Sequence, residues 1–251
     1  MNSSPIPTPS PTIGDAFGQV LLRCWSRDGR SGTAFEAVER EDGFIGISDA
    51  ARYFAPQDAW EPMEREACQR ANGRVLDVGC GAGRHALALM SRGRQVVGID
   101  ASPGAVSVSR DRGVDAREGT AAAPGPDLGF FDTILLCGQN FGLLESRTTA
   151  RQVLSALAAV ASPGASLIGT GVDHTRLTSP VHADYYGSNA ARGRMPGQSR
   201  IRVRSGPLST HWFDYLFLSP GELSSLVAGS GWTLSAVRSD GADYLAHLRL
   251  G

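Results

Sequence analysis

The chain has 251 residues and a formal net charge of −1, with 41% hydrophobic and 20% charged side chains. That length carries one domain with a substantial core and an appended cap, and near-neutrality argues against a general nucleic-acid binder, which would need a basic face. All 24 long cationic side chains are arginine, which excludes Schiff-base chemistry on a lysine and a P-loop lysine.

Residues 1–13 are rich in proline and serine and lack the basic start and apolar run of a signal peptide, so a disordered tail is expected there. Residues 14–72 read as a helical cap. Over 15–27, Ala16, Phe17, Val20, Leu21 and Cys24 fall on one face of a helix. An extended piece follows, turning at Asp42-Gly43 and entering a short helix capped by Ser48 or Asp49. A second helix is expected over 57–71, behind Pro56. Cys24, Cys68, Cys80 and Cys137 form no C-x-x-C pair and fit neither a disulfide framework nor a zinc site, so no metal is expected. Reduced thiols suit a cytoplasmic protein. No apolar run reaches membrane-spanning length.

From 73 to 251 the pattern changes to alternation. Strands are expected over 75–78, 95–99, 114–117, 132–136 and 166–171, with helices over 84–91, 103–112 and 148–161 between them. Such alternation implies a parallel sheet with right-handed crossovers and helices on both faces. Residues 173–218 read as an insertion, irregular over 173–199 and then a hairpin of 200–204 with 212–218. A helix over 220–229, with Ser219 as N-cap and Glu222 completing a capping box, precedes two closing strands over 232–238 and 244–250.

The run Val75-Leu-Asp-Val-Gly-Cys-Gly-Ala-Gly-Arg-His85 is the strongest single signal. A buried strand breaks into a glycine loop that feeds a helix, which brings backbone N–H groups and a helix N-terminus to one spot. The next strand ends at Asp100, placed to take both hydroxyls of a ribose. A dinucleotide fingerprint needs a third glycine where Arg84 stands, and Asp77 inside the strand would repel a phosphate but favour a cationic amino-acid group.

V-L-D-V-G-C-G-A-G resembles the first motif of class I S-adenosylmethionine (SAM)-dependent methyltransferases, and V-V-G-I-D-A-S resembles their second. The resemblance covers about residues 73–172. It implies a Rossmann-like, seven-stranded, mostly parallel α/β sheet with an antiparallel last strand, and SAM as cofactor, leaving S-adenosylhomocysteine. It also implies that Gly79, Cys80 and Gly81 contact the methionine part and that Asp77 lies near its ammonium. Asp100 would hold the ribose, Ala101 would flank the adenine, Glu118 and Gly119 would sit near its amino group, and Cys137 and Gly138 would line the cofactor with backbone.

Gln139 and Asn140 would project toward the acceptor, although Asn140 serves equally as a cap of the following turn. Further acceptor-side candidates are Tyr53 in the cap and Tyr186, Arg202 and Trp212 in the insertion. Where the nucleophile must lose a proton, a base is needed. Candidates for catalysis are His174, His182 and Tyr185. The loop after the fourth strand lacks the N-P-P-Y, Pro-Cys and paired-glutamate signatures of nucleic-acid and protein-arginine methyltransferases, which leaves O-, N- or C-methylation of a small metabolite by a monomer or homodimer. A SAM-binding protein that performs another displacement, or only senses SAM, is the alternative; a nicotinamide-dependent oxidoreductase is the remaining one.

Overall fold

The computed structural model describes residues 10–251. The chain runs through β1 (Thr12–Ile13), α1 (Ala16–Trp25), β2 (Phe35–Arg40), β3 (Ile45–Asp49) and α2 (Pro62–Arg70), then β4 (Arg74–Val78), α3 (Arg84–Met90), β5 (Gln95–Asp100), α4 (Pro103–Asp111), β6 (Asp115–Glu118) and β7 (Phe131–Leu136). It continues through α5 (Arg147–Ala159), β8 (Ala161–Val172), α6 (Pro180–Asn189), β9 (Gln198–Ser205), β10 (Leu208–Ser209), β11 (Phe213–Leu216), α7 (Pro220–Val227), β12 (Trp232–Asp240) and β13 (Asp243–Leu250).

Seven strands form one sheet in the order β12-β13-β8-β7-β4-β5-β6. All neighbours pair in parallel except β13, which is antiparallel to both β8 and β12. This is the expected α/β architecture. Its central strands are apolar on both faces because helices cover both. In β4, Val75 packs with α2 and α3 while Leu76 and Val78 pack with α5 and the strands beside it. Asp77 shares the face of Val75, so its carboxylate is driven into the layer beneath α2 and α3. Ser219 and Glu222 form the expected capping box of α7. Among the described residues no helix is long and apolar enough to cross a membrane.

The cap is not simply helical. β2 and β3 pair with each other, and β2 pairs with β9 of the insertion, so that Val38 stands opposite Val203. β9 also pairs with β10 and β11, and β1 joins β10. Cap and insertion thus build one second sheet. The disordered tail expected over 1–13 lies outside the described residues up to residue 9, and Thr12–Ile13 forms a strand. The helix expected over 57–71 splits into a 3-10 turn, Gln57–Ala59, and α2, because Pro62 has no N–H to donate and so begins a helix instead of continuing one. The irregular part of the insertion contains α6.

One aspartate pins the cap to the main sheet. Asp15 accepts from Gly18 N (2.9 Å) to cap α1, and from Ser102 Oγ (2.7 Å) and Gly104 N (2.8 Å) at the start of α4. The two helices cross where both carry glycine: a Cβ on Gly104 would stand 2.7 Å from Gly18 Cα. Asp15→Ala removes three acceptor bonds at this crossing and is expected to cost about 1–3 kcal/mol. The check is a shift of the urea midpoint to lower concentration at unchanged slope.

Candidate active site

The loop between β4 and α3 lies at the carboxyl end of the sheet, where ligands of such sheets bind. Gly79 and Gly81 adopt φ of +72° and +55°, open to glycine at little cost. Their N–H groups are already used. Gly79 N and Cys80 N donate to Ile99 O (2.8 and 3.0 Å), and Gly81 N donates to Asp100 Oδ2 (2.9 Å). The expected cluster of free donors is therefore absent at these three residues. What the loop presents is close-approach backbone surface, which does not suit a pyrophosphate. The Cys80 thiol points behind the loop toward Gly98 and Ser109. Asn140 donates to Val78 O (2.9 Å) and Gly79 O (3.0 Å), so its amide nitrogen fixes the loop and does not point at an acceptor.

Two buried acids flank this loop. Asp100 accepts from Gly81 N and from Ser102 N (2.9 Å each), which fixes the carboxylate at the end of β5. Burial, with the nearby charges of Asp15 and Asp77, pushes its carboxyl up to about 6 although both N–H groups favour the ionised form. Asp77 is 1% exposed, and neither of its oxygens has a hydrogen-bond partner among the described residues. Burial raises its pKa, and the charges of His85 and Arg84 offset only part of that. Arg84 is engaged by Glu64 of α2 (2.7 Å). Burial works to raise the Glu64 carboxyl, and His85 and Arg84 outweigh it. A Cβ on Gly138 would lie 3.6 Å from Glu64 Oε1, so Gly138 borders the same cluster.

An orphaned carboxylate in this position fits a cationic amino-acid end, and a carboxylate held by backbone at the next strand end fits a ribose diol. Both fit SAM, whose sulfonium and ammonium outweigh its single carboxylate.

The cap roofs the loop. Phe17 and Tyr53 meet edge to face (5.3 Å, 79°), and a Cβ on Gly81 would stand 3.7 Å from Tyr53 Cδ1 and 4.0 Å from Phe17 Cζ. Tyr53 Oη donates to Glu36 Oε2 (2.8 Å). From the insertion, Tyr215 Oη donates to Gln139 O (2.8 Å) and its ring closes on Gly142, where a Cβ would be 2.0 Å from Tyr215 Cε1. Gln139 N in turn donates to Thr170 Oγ1 (2.9 Å). Burial raises both phenols, Tyr53 and Tyr215. Phe17, Glu36 and Tyr215 were not among the residues expected from sequence. Tyr215 stands in an alternating strand on the face opposite the buried Leu216 and Leu218, so its own residues did not mark it; Glu36 belongs to no motif.

The other expected residues divide into two groups. Glu118 stands opposite Asp100 in the β5–β6 register, Gly119 N donates to Asp100 O (3.0 Å), and exposed Ala101 follows Asp100, so these three gather at one strand end. The Cys137 side chain is buried among Val75, Cys68 and Leu135. Elsewhere, His174 pairs with Glu222 (3.1 Å), His182 Nδ1 lies 3.0 Å from Arg40, and Tyr185 Oη donates to Glu41 (3.0 Å). Tyr186 lies between the two histidines and reaches Tyr215 only through the ring of Phe217. Arg202 forks onto Glu39 (2.9 and 3.1 Å) and stacks on Trp212 (4.5 Å). Three residues from Glu36, Glu39 and its partners occupy the opposite face of the second sheet. The structure thus does not bring Arg202 and Trp212 to the loop.

Known proteins share both the sequence motifs and the fold. A family model described as a methyltransferase domain matches residues 75–164. The ubiquinone biosynthesis O-methyltransferase of Hahella chejuensis is 30% identical over 203 residues, 76% of this chain and 77% of its own. YqeM of Bacillus subtilis is 28% identical over 136 residues, so that this chain spans about half of it (53%). A solved SAM-dependent methyltransferase from Bacteroides fragilis, in complex with S-adenosylhomocysteine, shares the fold with a TM-score of 0.79 at 24% identity, over 96% of this chain and 99% of that one.

Proposed function

The chain belongs to the class I SAM-dependent methyltransferases, and we propose that it methylates a small metabolite held beneath the cap. Bound SAM supplies a methyl group already activated by its positive sulfur. The protein's own task is to fix partners in line and keep water out. Asp100 holds the ribose hydroxyls, Asp77 faces the ammonium, and Phe17 and Tyr53 exclude solvent above Gly81.

The observation that supports a small acceptor is this roof. Aromatic rings from α1, from the turn after β3 and from β11 stand within contact of the glycine loop and of Gly142. They cover the loop with aromatic surface drawn from three separate elements, which supports a small acceptor over a polymer. The near-neutral chain points the same way.

The test uses SAM tritiated at the methyl, incubated with the protein and with a cell extract separated by mass. Label is expected in the low-mass fraction, only when the protein is present. Label appearing in protein or nucleic acid would overturn the small-acceptor reading.

A further inference from the structure

Beneath the roof, one carboxylate has no cation. Glu36, on β2, is 7% exposed. Its neighbours along the chain are paired: Glu39 with Arg202 and Arg204, and Glu41 with Arg192 and Arg194. Among the described residues Glu36 forms no ion pair. Its Oε2 takes the hydroxyls of Tyr53 (2.8 Å) and Ser48 (3.3 Å), and its Oε1 takes no hydrogen bond from any described residue. The guanidinium nearby, Arg52, is exposed and lies across the Tyr53 ring at 5.5 Å from the centroid.

A carboxylate withdrawn from water without a cation is destabilised, and a cationic guest offsets that cost. The surrounding rings, Tyr53 and Tyr215, add a surface that attracts cations. Tyr53 is also the residue that stands over Gly81, so the phenol that holds Glu36 touches the cofactor loop with its ring edge. A neutral hydroxyl would satisfy Oε1 as a donor but would leave the charge uncompensated.

We propose that Glu36 is the acceptor-binding carboxylate and that the acceptor is a small amine, taken up as its ammonium. Oε1 accepts one N–H of the ammonium. That N–H bond then breaks as an Oε1–H bond forms, and the electron pair stays on nitrogen, ready for the methyl group. An alkylammonium, at about 10 in water, gives up its proton to a carboxylate far more readily than an alcohol does. Tyr53 and Ser48 hold Oε2 and so aim Oε1. This inference rests on the small-acceptor reading above and narrows it to one class of substrate.

The test is calorimetry on the protein saturated with S-adenosylhomocysteine, using a matched pair of probes, phenethylamine and 2-phenylethanol. The amine is expected to bind about tenfold tighter than the alcohol. Glu36→Gln, which keeps the shape, is expected to erase that preference while the affinity for S-adenosylhomocysteine stays within about twofold. Should Glu36→Gln fail to fold by circular dichroism, Tyr53→Phe serves instead: the preference for amine persists but the amine binds several-fold more weakly. Equal binding of the two probes, binding of neither, or a preference that survives Glu36→Gln overturns the proposal. A wild-type protein that fails to bind S-adenosylhomocysteine would break the cofactor assignment instead, and label in a polymer would break the small-acceptor reading, so the three failures are distinct.

Discussion

Asp100→Ala is expected to raise the dissociation constants of SAM and S-adenosylhomocysteine by at least about a hundredfold, with the fold retained. Two hydrogen bonds to a charged group, each contributing about 1.5–3 kcal/mol, are lost when the ribose hydroxyls have no carboxylate to meet. The same carboxylate anchors Gly81 N and Ser102 N, so the loop that approaches the ligand loosens as well. Calorimetry on the variant and the wild type reads the effect directly. The wild type carries an internal control in its pH dependence. Its Asp100 carboxyl is raised to about 6, and the ribose diol favours the ionised form. Cofactor affinity should therefore rise with pH through about 6, with roughly a tenfold gain between pH 5 and pH 7. Asp100→Ala should lose that dependence. For the cofactor-free protein the sign reverses. A folded-state pKa above the unfolded one means that this group's contribution to stability is present in acid and is lost as pH rises through about 6.

Asp77→Asn is expected to move stability and binding in opposite directions. With neither oxygen partnered and the side chain buried, the wild-type carboxylate is a charge that His85 and Arg84 compensate only in part in the free enzyme. Neutralising it should stabilise the cofactor-free protein by about 1–3 kcal/mol. Because burial raises the Asp77 pKa, the wild type already gains the proton in acid, so the advantage of the variant should shrink as pH falls. Binding of SAM should weaken by about 10- to 100-fold, since the charge that meets the ammonium has gone. Thermal melts with and without SAM give both readings: a higher melting temperature alone, and a smaller shift on adding ligand. A variant less stable than the wild type and equally responsive to SAM would mean that Asp77 is held by the fold and not reserved for a ligand.

How much of this was legible in the sequence follows from how local each feature is. Val75 to Val78, the glycine loop and Asp100 lie within 26 consecutive residues (75–100), and apolar runs, glycines and strand-end acids mark them without help from elsewhere. The parallel sheet with helices on both faces follows from alternation and crossover handedness, and its seven strands with an antiparallel closing strand follow from the resemblance. The second sheet was not legible as a sheet, because Val38 and Val203 pair across the whole cofactor domain. Its strands carry charges on alternate positions, Glu36 and Arg40 inward and Glu39 outward, so that no apolar stripe announces them. The same long-range pairing explains why only part of the roof was legible. Tyr53 was expected over the cofactor, but Phe17, Glu36 and Tyr215 reach it from three elements that only the folded chain places side by side. His174, His182 and Tyr185 have side chains suited to proton transfer, but each has a partner in Glu222, Arg40 or Glu41.

The most direct measurement is a crystal structure with S-adenosylhomocysteine. The account predicts both ribose hydroxyls within hydrogen-bond distance of Asp100, the amino group of the homocysteine part facing Asp77, and the sulfur turned toward the space under Tyr53 and Tyr215. A ligand bound elsewhere, or a ribose that leaves Asp100 untouched while Asp77 stays unpartnered, would contradict it.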